Sequence, residues 1–582
     1  MSFLSRIMVI KAKAHISSGG NNRPHGGRHE GTFVGTRKKT GAQARSRVAV
    51  IITCFGLVYC VIGGRLVQYG MAAPEAVSSI GPADHLMASR PDIVDRNGEI
   101  LATDIRTVSL YAEPHKIVDA DEAIELLRTV LPDLDSRATY KKLVSNSRFQ
   151  WLSRQLTPKQ QSSILALGIP GIGFRPEKRR FYPGGATASH IVGHVNIDNR
   201  GIAGMERYID GQGLADLAAI GMTSDAKLEP VRLSIDLRVQ AIVRDVIADG
   251  IKKYEAIAAG AVVLDVHTGE VLAMASVPDY DPNNPAEGAK DGWLNRMSNG
   301  TFEMGSTFKS FTTAMALDSG KVTLRDSFDA RFPIRIGGFT IKDFHGKHRV
   351  LTVPEIFQYS SNIGTAKMAD IIGIEGHKEF LTRLGLLSKL ETELPEVKMP
   401  SQPREWKKIN SITISFGHGV STTPLQTAVA GAALMNGGKL IEPTFLPRTR
   451  EEADAVAQPV IKQSTSDDMR FLMRWNATHG SGKHALVPGF NVGGKTGTAD
   501  KVVNGRYAQG LNFNAFLAAF PIDNPQYVVL TFIDAPKTGE GGGRTAGSNA
   551  APMVREIIRR SAALLGVKPK FGEDGSALLV SY

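Results

Sequence analysis

The sequence predicts a mixed α/β chain whose largest domain builds one sheet from both of its ends. Three observations carry this. Apolar strand patterns at 261–265 and 270–275 flank His267-Thr-Gly269, a hairpin signature. Helical periodicity then dominates from about 306 to 435. Strand patterns return at 490–498, 513–520 and 527–533, and a helical pattern follows at 552–565. Strands first, helices in the middle and strands last place helices on the faces of a shared sheet.

From the N-terminus, residues 1–47 hold ten Lys and Arg against one acid, Glu30, and so carry +9 of the formal +12. Residues 18–32 are rich in Gly, Asn and His, which predicts disorder. A basic tail can bind nucleic acid, but here the uncharged run 48–64 begins directly after Arg47. Seventeen helical residues span about 26 Å, and Leu66, Val67 and Tyr69 extend the run towards a bilayer core of about 30 Å. The expectation is therefore a single transmembrane signal anchor over 48–68, with the tail cytoplasmic and no nucleic-acid partner. Gly70-Met-Ala72 resembles a cleavage site, but the long leader, the long apolar run and Arg65 directly after it argue against cleavage. Cys54 and Cys60, the two cysteines, lie about 240° apart on such a helix, so neither a mutual disulfide nor a metal site is expected.

Residues 69–227 read as a β-rich domain of short strands and loops, with Asn97-Gly98 a hairpin turn. Helical patterns at 122–131 and 136–144 form an inserted subdomain. Arg90, Asp95 and Arg96 read as salt-bridging residues rather than a catalytic cluster, and His190 as structural. A second large domain covers 228–565, and 566–582 read as a loosely held tail.

Three short motifs in the second domain carry chemistry. Ser306-Thr-Phe-Lys309 puts a hydroxyl and an amine three residues apart, on one face of a helix, where the side chains can touch. Phe308, Phe311 and Ala314 give that helix an apolar stripe, and a lysine desolvated there can act as a base towards Ser306. Ser360-Ser-Asn362 alternates so that, in an extended or loop conformation, Ser360 and Asn362 point the same way. Ser360 can relay a proton to a leaving amine, and Asn362 can hold a substrate amide. Lys495-Thr-Gly497 lies in Val492-Gly-Gly-Lys-Thr-Gly-Thr498, which reads as a strand edge open to close backbone approach at glycine. Lys495 supplies positive charge there, and Thr496, Gly497 and Thr498 complete a clamp for a carboxylate.

Each motif alone has a bland explanation. A Ser-x-x-Lys arises about twice by chance in a chain this long, and Ser360-Ser-Asn362 can be a helix cap. Lys537-Thr-Gly539 repeats the third tripeptide but follows Pro536 and runs into Gly541-Gly-Gly543, a loop context. The clamp is therefore assigned to Lys495. In order, the three motifs supply a nucleophile, a base, a relay and an anion clamp, the parts that acyl transfer on a peptide needs.

Asn295-Arg296 with Phe302-Glu-Met-Gly-Ser-Thr-Phe-Lys309 resembles the active-site segment of class B penicillin-binding proteins. Further similar segments are Arg90-Pro-Asp-Ile-Val-Asp-Arg-Asn-Gly98, Arg180-Phe-Tyr-Pro-Gly-Gly185 through His190 and Gly193, and Gly201-x-x-Gly204-x-Glu206. Others are Leu233 to Gln240, Thr423-Pro-Leu-Gln426, and Thr545-Ala-Gly547 with Ala550-Ala-Pro552. The likeness covers about residues 45 to 565. Met304 departs from it, standing where most relatives carry proline, and is expected to loosen the turn. The resemblance implies a membrane-anchored D,D-transpeptidase with a non-catalytic pedestal and a transpeptidase domain built on a central antiparallel sheet flanked by helices. It implies attack by Ser306 on a D-Ala-D-Ala stem peptide, an oxyanion hole from the Ser306 and Thr498 amides, and β-lactams as inhibitors. No metal or organic cofactor is implied. Implied partners are peptidoglycan stem peptides, a polytopic septal glycan polymerase and other division proteins.

Among rival functions, a class A β-lactamase would carry a deacylating Glu-x-x-Leu-Asn loop beyond the second motif, and Glu393-Leu-Pro-Glu396 lacks that pattern. A D,D-carboxypeptidase and a non-catalytic cell-wall scaffold are the remaining alternatives. Only about 155 residues separate anchor from catalytic domain, which argues against a glycosyltransferase. Ser415-Phe-Gly-His-Gly419 and the long basic tail favour a division enzyme over an elongation enzyme.

Overall fold

In the computed structural model the expected shared sheet is present, assembled from strands before and after the helical middle. The structure describes residues 52–64, 90–213, 228–284, 286, 294–503, 506–537 and 543–570. In the second large domain the strands are β6 (Ala258–Asp265), β7 (Val271–Val277), β12 (Gly493–Val503), β13 (Arg506–Phe520) and β14 (Tyr527–Asp534). They lie in the order β12-β13-β14-β6-β7, every neighbour antiparallel. Alternate side chains leave opposite faces of a strand. Thus Val262 and Leu264 join one core while Ala259, Ala261 and Val263 join another.

Helices cover both faces. On one face are α3 (Leu237–Tyr254) and α10 (Ala550–Ser561), each with an apolar stripe on the sheet. The other face carries α4 (Lys309–Asp318), α5 (Val353–Tyr359), α6 (Asn362–Ile372), α7 (Lys408–Ser415), α8 (Pro424–Met435) and α9 (Gln463–His479). Every residue of α4 from Lys309 to Leu317 is buried, as is all of α8. Such helices are surrounded by protein rather than amphipathic. The helical middle is interrupted by four short strands that the periodicity did not reveal: β8 (Ser327–Asp329), β9 (Ile334–Ile336), β10 (Phe339–Ile341) and β11 (Val350–Thr352). Three-residue strands are too short to leave a clear period-2 signal. The β12–β13 hairpin also runs further than the patterns at 490–498 and 513–520, because Asp500 still pairs with Asn512 and Val502 with Tyr507 across it.

The preceding region holds β1 (Ile93–Val94), β2 (Ile100–Ala112), β3 (Gln150–Leu156) and β4 (Ile172–Phe181), with α1 (Ala120–Val130) and α2 (Ser136–Leu143) as the inserted pair. Strand β1 also pairs in parallel with β5 (Val231–Arg232), at the entrance to the second domain. The Asn97-Gly98 turn joins β1 to β2, with Gly98 at φ +94°. Arg90 and Arg180 are buried and converge on Glu206, the latter through an Nε–Oε1 bond of 2.6 Å. Asp104 pairs with Arg180 and Asp210 with Arg90. Arg96 reaches Glu270 at 3.6 Å. Asp95 departs from the salt-bridge expectation. Its carboxylate instead accepts from the amides of Asn97, Glu99 and Leu237, which fixes the turn and the start of α3. His190 packs edge-on to Tyr280.

The N-terminal unit is described at residues 52–64, which form a helix with free Cys54 and Cys60. Among the described residues no helix is long and apolar enough to cross a membrane. The basic tail 1–47 and the ends of the predicted span, 48–51 and 65–68, lie outside the described residues. So do 571–582 of the predicted C-terminal tail. Its first part is tied down, since the Lys570 amide donates to Gly489 O at 2.7 Å and Nζ to Asp523 at 2.5 Å.

Candidate active site

Ser306 stands in a 3-10 turn, Gly305–Phe308, which feeds directly into α4 at Lys309. The helix therefore begins at the amine rather than at the hydroxyl. A 3-10 turn places residues i and i+3 in line, so Ser306 and Lys309 still share a face. Gly305, at φ +51°, makes the turn possible, and a Cβ there would meet the backbone of Thr498 and Ala499. On the neighbouring strand a Cβ at Gly497 would overlap the Met304 carbonyl and the Thr307 hydroxyl. A Cβ at Gly417 would overlap the Gly305 carbonyl. Three glycines thus press the nucleophile turn against β12 on one side and the 415–419 loop on the other. The close approach that Gly497 allows is to the protein's own turn.

Lys309 is fully buried, and Nζ donates to Ser360 O at 2.5 Å, Ser360 Oγ at 3.1 Å and Asn362 Oδ1 at 2.6 Å. Lys495 Nζ reaches the same Ser360 Oγ at 3.1 Å, and also Thr496 O at 3.3 Å. One hydroxyl therefore bridges two buried amines, and the three motifs meet at it. Burial pushes the Lys309 pKa well down, the Lys495 charge pushes it further, and Asp343 opposes both. Burial alone brings Lys495 down to about 7. The repeated tripeptide behaves differently. Lys537 is 72% exposed at its side chain and lies 4.0 Å from Glu255, whereas Lys495 is 0% exposed.

The second motif is neither extended nor a simple loop. Ser360 ends α5 in the left-handed region, at φ 55° and ψ 47°, a strained conformation for serine. Ser361 caps α6, accepting from Gly364 N at 3.0 Å. Asn362 is the first residue of α6, and its Nδ2 donates to Lys342 O at 2.8 Å. Ser360 and Asn362 point the same way, as expected, and both meet Lys309, but through a helix break rather than strand alternation. Asp343 completes the arrangement by accepting from Ser361 Oγ at 2.7 Å and Ile363 N at 2.9 Å.

Thr496 Oγ1 lies 2.7 Å from Ser481 Oγ, and Thr498 Oγ1 accepts from Ala546 N at 3.2 Å. Buried Asn476 supports this strand by donating to Gly494 O at 2.7 Å. Glu303, three residues before Ser306, accepts from Gly419 N at 2.8 Å and contacts His418 Nδ1 at 2.9 Å. It also accepts from Tyr507 OH at 3.3 Å. Sequence reasoning missed Asp343, Glu303, Ser481 and Asn476. Each acts across a long stretch of chain, and no local spacing signals such contacts.

Residues 259–559, more than half of the chain, match the penicillin binding protein transpeptidase domain. The chain belongs to the penicillin-binding proteins. Residues 85–211 match the penicillin-binding protein dimerisation domain. The chain is 37% identical over 538 residues to the probable peptidoglycan D,D-transpeptidase FtsI of Caulobacter vibrioides, covering 90% of each chain. It is 32% identical to the probable peptidoglycan D,D-transpeptidase PenA of Neisseria gonorrhoeae, over 90% of this chain and 94% of that one. To the peptidoglycan D,D-transpeptidase FtsI of Escherichia coli K12 it is 29% identical, over 90% and 92% respectively.

In this penicillin-binding protein, neither glutamate beyond the second motif is aimed at the nucleophile. Glu393 accepts from Thr444 Oγ1 at 2.5 Å and Phe445 N at 2.9 Å. Glu396 accepts from Gly204 N at 3.2 Å. Glu393 thus braces the 444–445 segment, and Glu396 ties the preceding region to the second domain through Gly204.

Proposed function

We propose that this chain is a class B peptidoglycan D,D-transpeptidase that cross-links stem peptides through a Ser306 acyl-enzyme, acting at the division septum. The observation that carries the reading is the Ser360 hydroxyl held between the Lys309 and Lys495 amines. Neutral Lys309 removes the Ser306 proton as Oγ attacks the D-Ala-D-Ala carbonyl. The C–N bond then breaks, and the leaving amine takes its proton by way of Ser360. Terminal D-Ala departs, and an amine of a neighbouring peptide repeats the sequence in reverse to form the cross-link. The Ser306 and Thr498 amides hold the oxyanion, a role worth about 3–4 kcal/mol per donor in other enzymes. Asn362 holds a substrate amide. Lys495, Thr496, Gly497 and Thr498 form the clamp that receives the substrate carboxylate, which raises the Lys495 pKa by pairing with it.

The division role is supported by the relatives named FtsI and by the 415–419 segment. The domain division is placed at 69–227 and 228–565. A membrane anchor over 48–68 is supported by the described helix, whose Ile52, Phe55, Leu57, Val58 and Tyr59 are all exposed, the pattern of a helix meant for apolar surroundings. Gly56, Gly63 and Gly64 on that span are small enough for a helix of a polytopic polymerase to pack closely.

Intact mass after incubation with a penicillin tests the chemistry. The wild type gains one drug adduct and Ser306→Ala gains none; an adduct on the variant, or rapid turnover of the drug, defeats the reading. Depletion tests the cellular role: filamentous undivided cells are expected, and rounded cells would assign the enzyme to elongation instead.

A further inference from the structure

We propose that the lobe formed by residues 327–352 is a docking surface for anionic, peptide-bearing glycan strands, holding a strand beside the cleft while one stem peptide enters it. This rests on the transpeptidase reading of the site. The lobe inserts between α4 and α5, and its outer part is the β9–β10 hairpin, turned at Gly337 and Gly338 with φ of +56° and +80°. Register puts Ile334, Ile336 and Ile341 on one face, packed with Ala366, Ile412 and Phe416. That anchors the hairpin on α6 and α7. Arg335 and Thr340 pair on the opposite face and are exposed.

Three rings of the lobe are exposed: Phe344 is 82% exposed, Phe332 71% and Phe339 63%, the last pairing with Ile336 on the isoleucine side of the hairpin. Exposed rings of this size, gathered in one lobe, mark an interaction surface more often than chance exposure does. The lobe carries five cations, Arg331, Arg335, Lys342, Lys347 and Arg349, against two acids, Asp329 and Asp343. Nearby carboxylates are already occupied: Asp329 pairs with Arg331 at 2.8 Å and Glu355 with Arg349 at 2.6 Å. Asp343 is bound to Ser361 and Ile363. Arg335, Lys342 and Lys347 therefore have no ion pair among the described residues.

The surface is continuous with the cleft. The Lys342 carbonyl holds Asn362, and Lys347 Nζ lies 4.8 Å from the ring of Tyr359, next to Ser360. A strand laid along it would present stem-peptide carboxylates to the cations and flat C–H faces of sugar rings to the phenylalanines. Charge complementarity of this kind governs encounter and register.

The test is binding of soluble, uncross-linked peptidoglycan strands with pentapeptide stems to the full-length protein in detergent, with Ser306 blocked by a penicillin. Blocking the cleft leaves the lobe as the surface under study. Charge reversal by Arg335→Glu combined with Phe339→Ser is expected to weaken strand binding on the order of tenfold. Penicillin adduct formation should stay within about twofold, because neither side chain touches the three motifs. Phe339→Ser alone, at an exposed hairpin tip, cannot unfold the domain and should give a smaller loss of the same sign. Strands stripped of their peptides should bind more weakly than intact ones. Unchanged strand affinity in both variants overturns the proposal and leaves the lobe to a protein partner. Equal binding of stripped and intact strands, or an adduct rate that falls together with affinity, overturns it as well. A wild type that forms no penicillin adduct would instead overturn the transpeptidase reading, a separate result.

Discussion

Two sets of buried cations sit in this protein under opposite arrangements. In the pedestal region, Arg90 and Arg180 are enclosed with Glu206, Asp104 and Asp210, so each guanidinium faces carboxylates. In the cleft, Lys309 and Lys495 are enclosed with hydroxyl and carbonyl oxygens and with each other. Carboxylate pairing raises Arg180 above its usual value despite its burial. Without such partners, burial pulls both lysines towards neutrality. The same cost of desolvation thus accompanies a carboxylate-paired girder in one place and the proposed base in the other. What separates them is the partner, not the depth.

The comparison breaks most sharply at Lys309. Lys309→Met removes the base while leaving an apolar side chain of similar length in the same pocket. Acylation by a penicillin is expected to fall by about 10³–10⁴-fold, with the melting temperature held or raised. Stopped-flow or mass-resolved acylation rates check this; a loss under tenfold would mean that another group takes the Ser306 proton. In the pedestal, Glu206→Ala should do the reverse. It strands two buried guanidiniums and is expected to cost about 3–5 kcal/mol of stability, read by denaturant unfolding. Acylation per folded molecule should stay unchanged. A stability loss under 1 kcal/mol would show that Asp104 and Asp210 suffice.

Lys495 sharpens the contrast through pH. Its folded pKa, about 7, lies below the ordinary value of 10.5. Between those two pH values the unfolded chain binds more protons than the folded one, so stability rises with pH across that window. Lys495→Met should remove the Lys495 share of that rise, leaving the share that comes from Lys309, and stabilise the protein at pH 7 by about 1–2 kcal/mol, while abolishing the proposed clamp. For activity the signs oppose each other. In the proposed mechanism Lys309 is neutral and Lys495 charged, so acylation is expected to rise as Lys309 deprotonates and to decline once Lys495 does. Thermal unfolding from pH 6 to 10 checks the first claim, and a profile of acylation rate against pH checks the second.

The division between legible and hidden features follows from range. Ser306 with Lys309, Ser360 with Asn362, and Lys495 through Thr498 are local spacings, so their chemistry could be read from residue types alone. The sheet's strands were legible because their alternation is long and apolar. Their convergence was not, because it depends on Gly305, Gly417 and Gly497 letting backbones approach across the fold. The left-handed turn at Ser360 was likewise invisible, since serine carries no signal for positive φ. The pedestal network was partly legible: Arg90 read as a salt-bridging residue, but Glu206 lies 116 residues away from it. The decoy at Lys537 was dismissed on its Pro and Gly neighbours, and its exposed lysine is the physical counterpart of that loop context.

The smallest expected effect concerns Ser481, which was not legible at all. Its hydroxyl lies between Thr496 Oγ1, at 2.7 Å, and Asn476 Oδ1, at 3.4 Å. If Ser481 donates to Thr496, the Thr496 hydroxyl is free to donate to a substrate carboxylate. If it donates to Asn476, the Thr496 proton turns towards Ser481 and is lost to the substrate. The 2.7 Å contact fits either donor, and the first arrangement is the one in which Ser481 orients the proposed clamp. Ser481→Ala should then weaken acylation about fivefold, the value of one ordinary hydrogen bond of about 1 kcal/mol. The loss should appear for penicillins, which carry a carboxylate, and vanish for a thioester substrate lacking one. An equal loss on both substrates would make Ser481 a support for the strand through Asn476, on the structural side of the comparison rather than the reactive one.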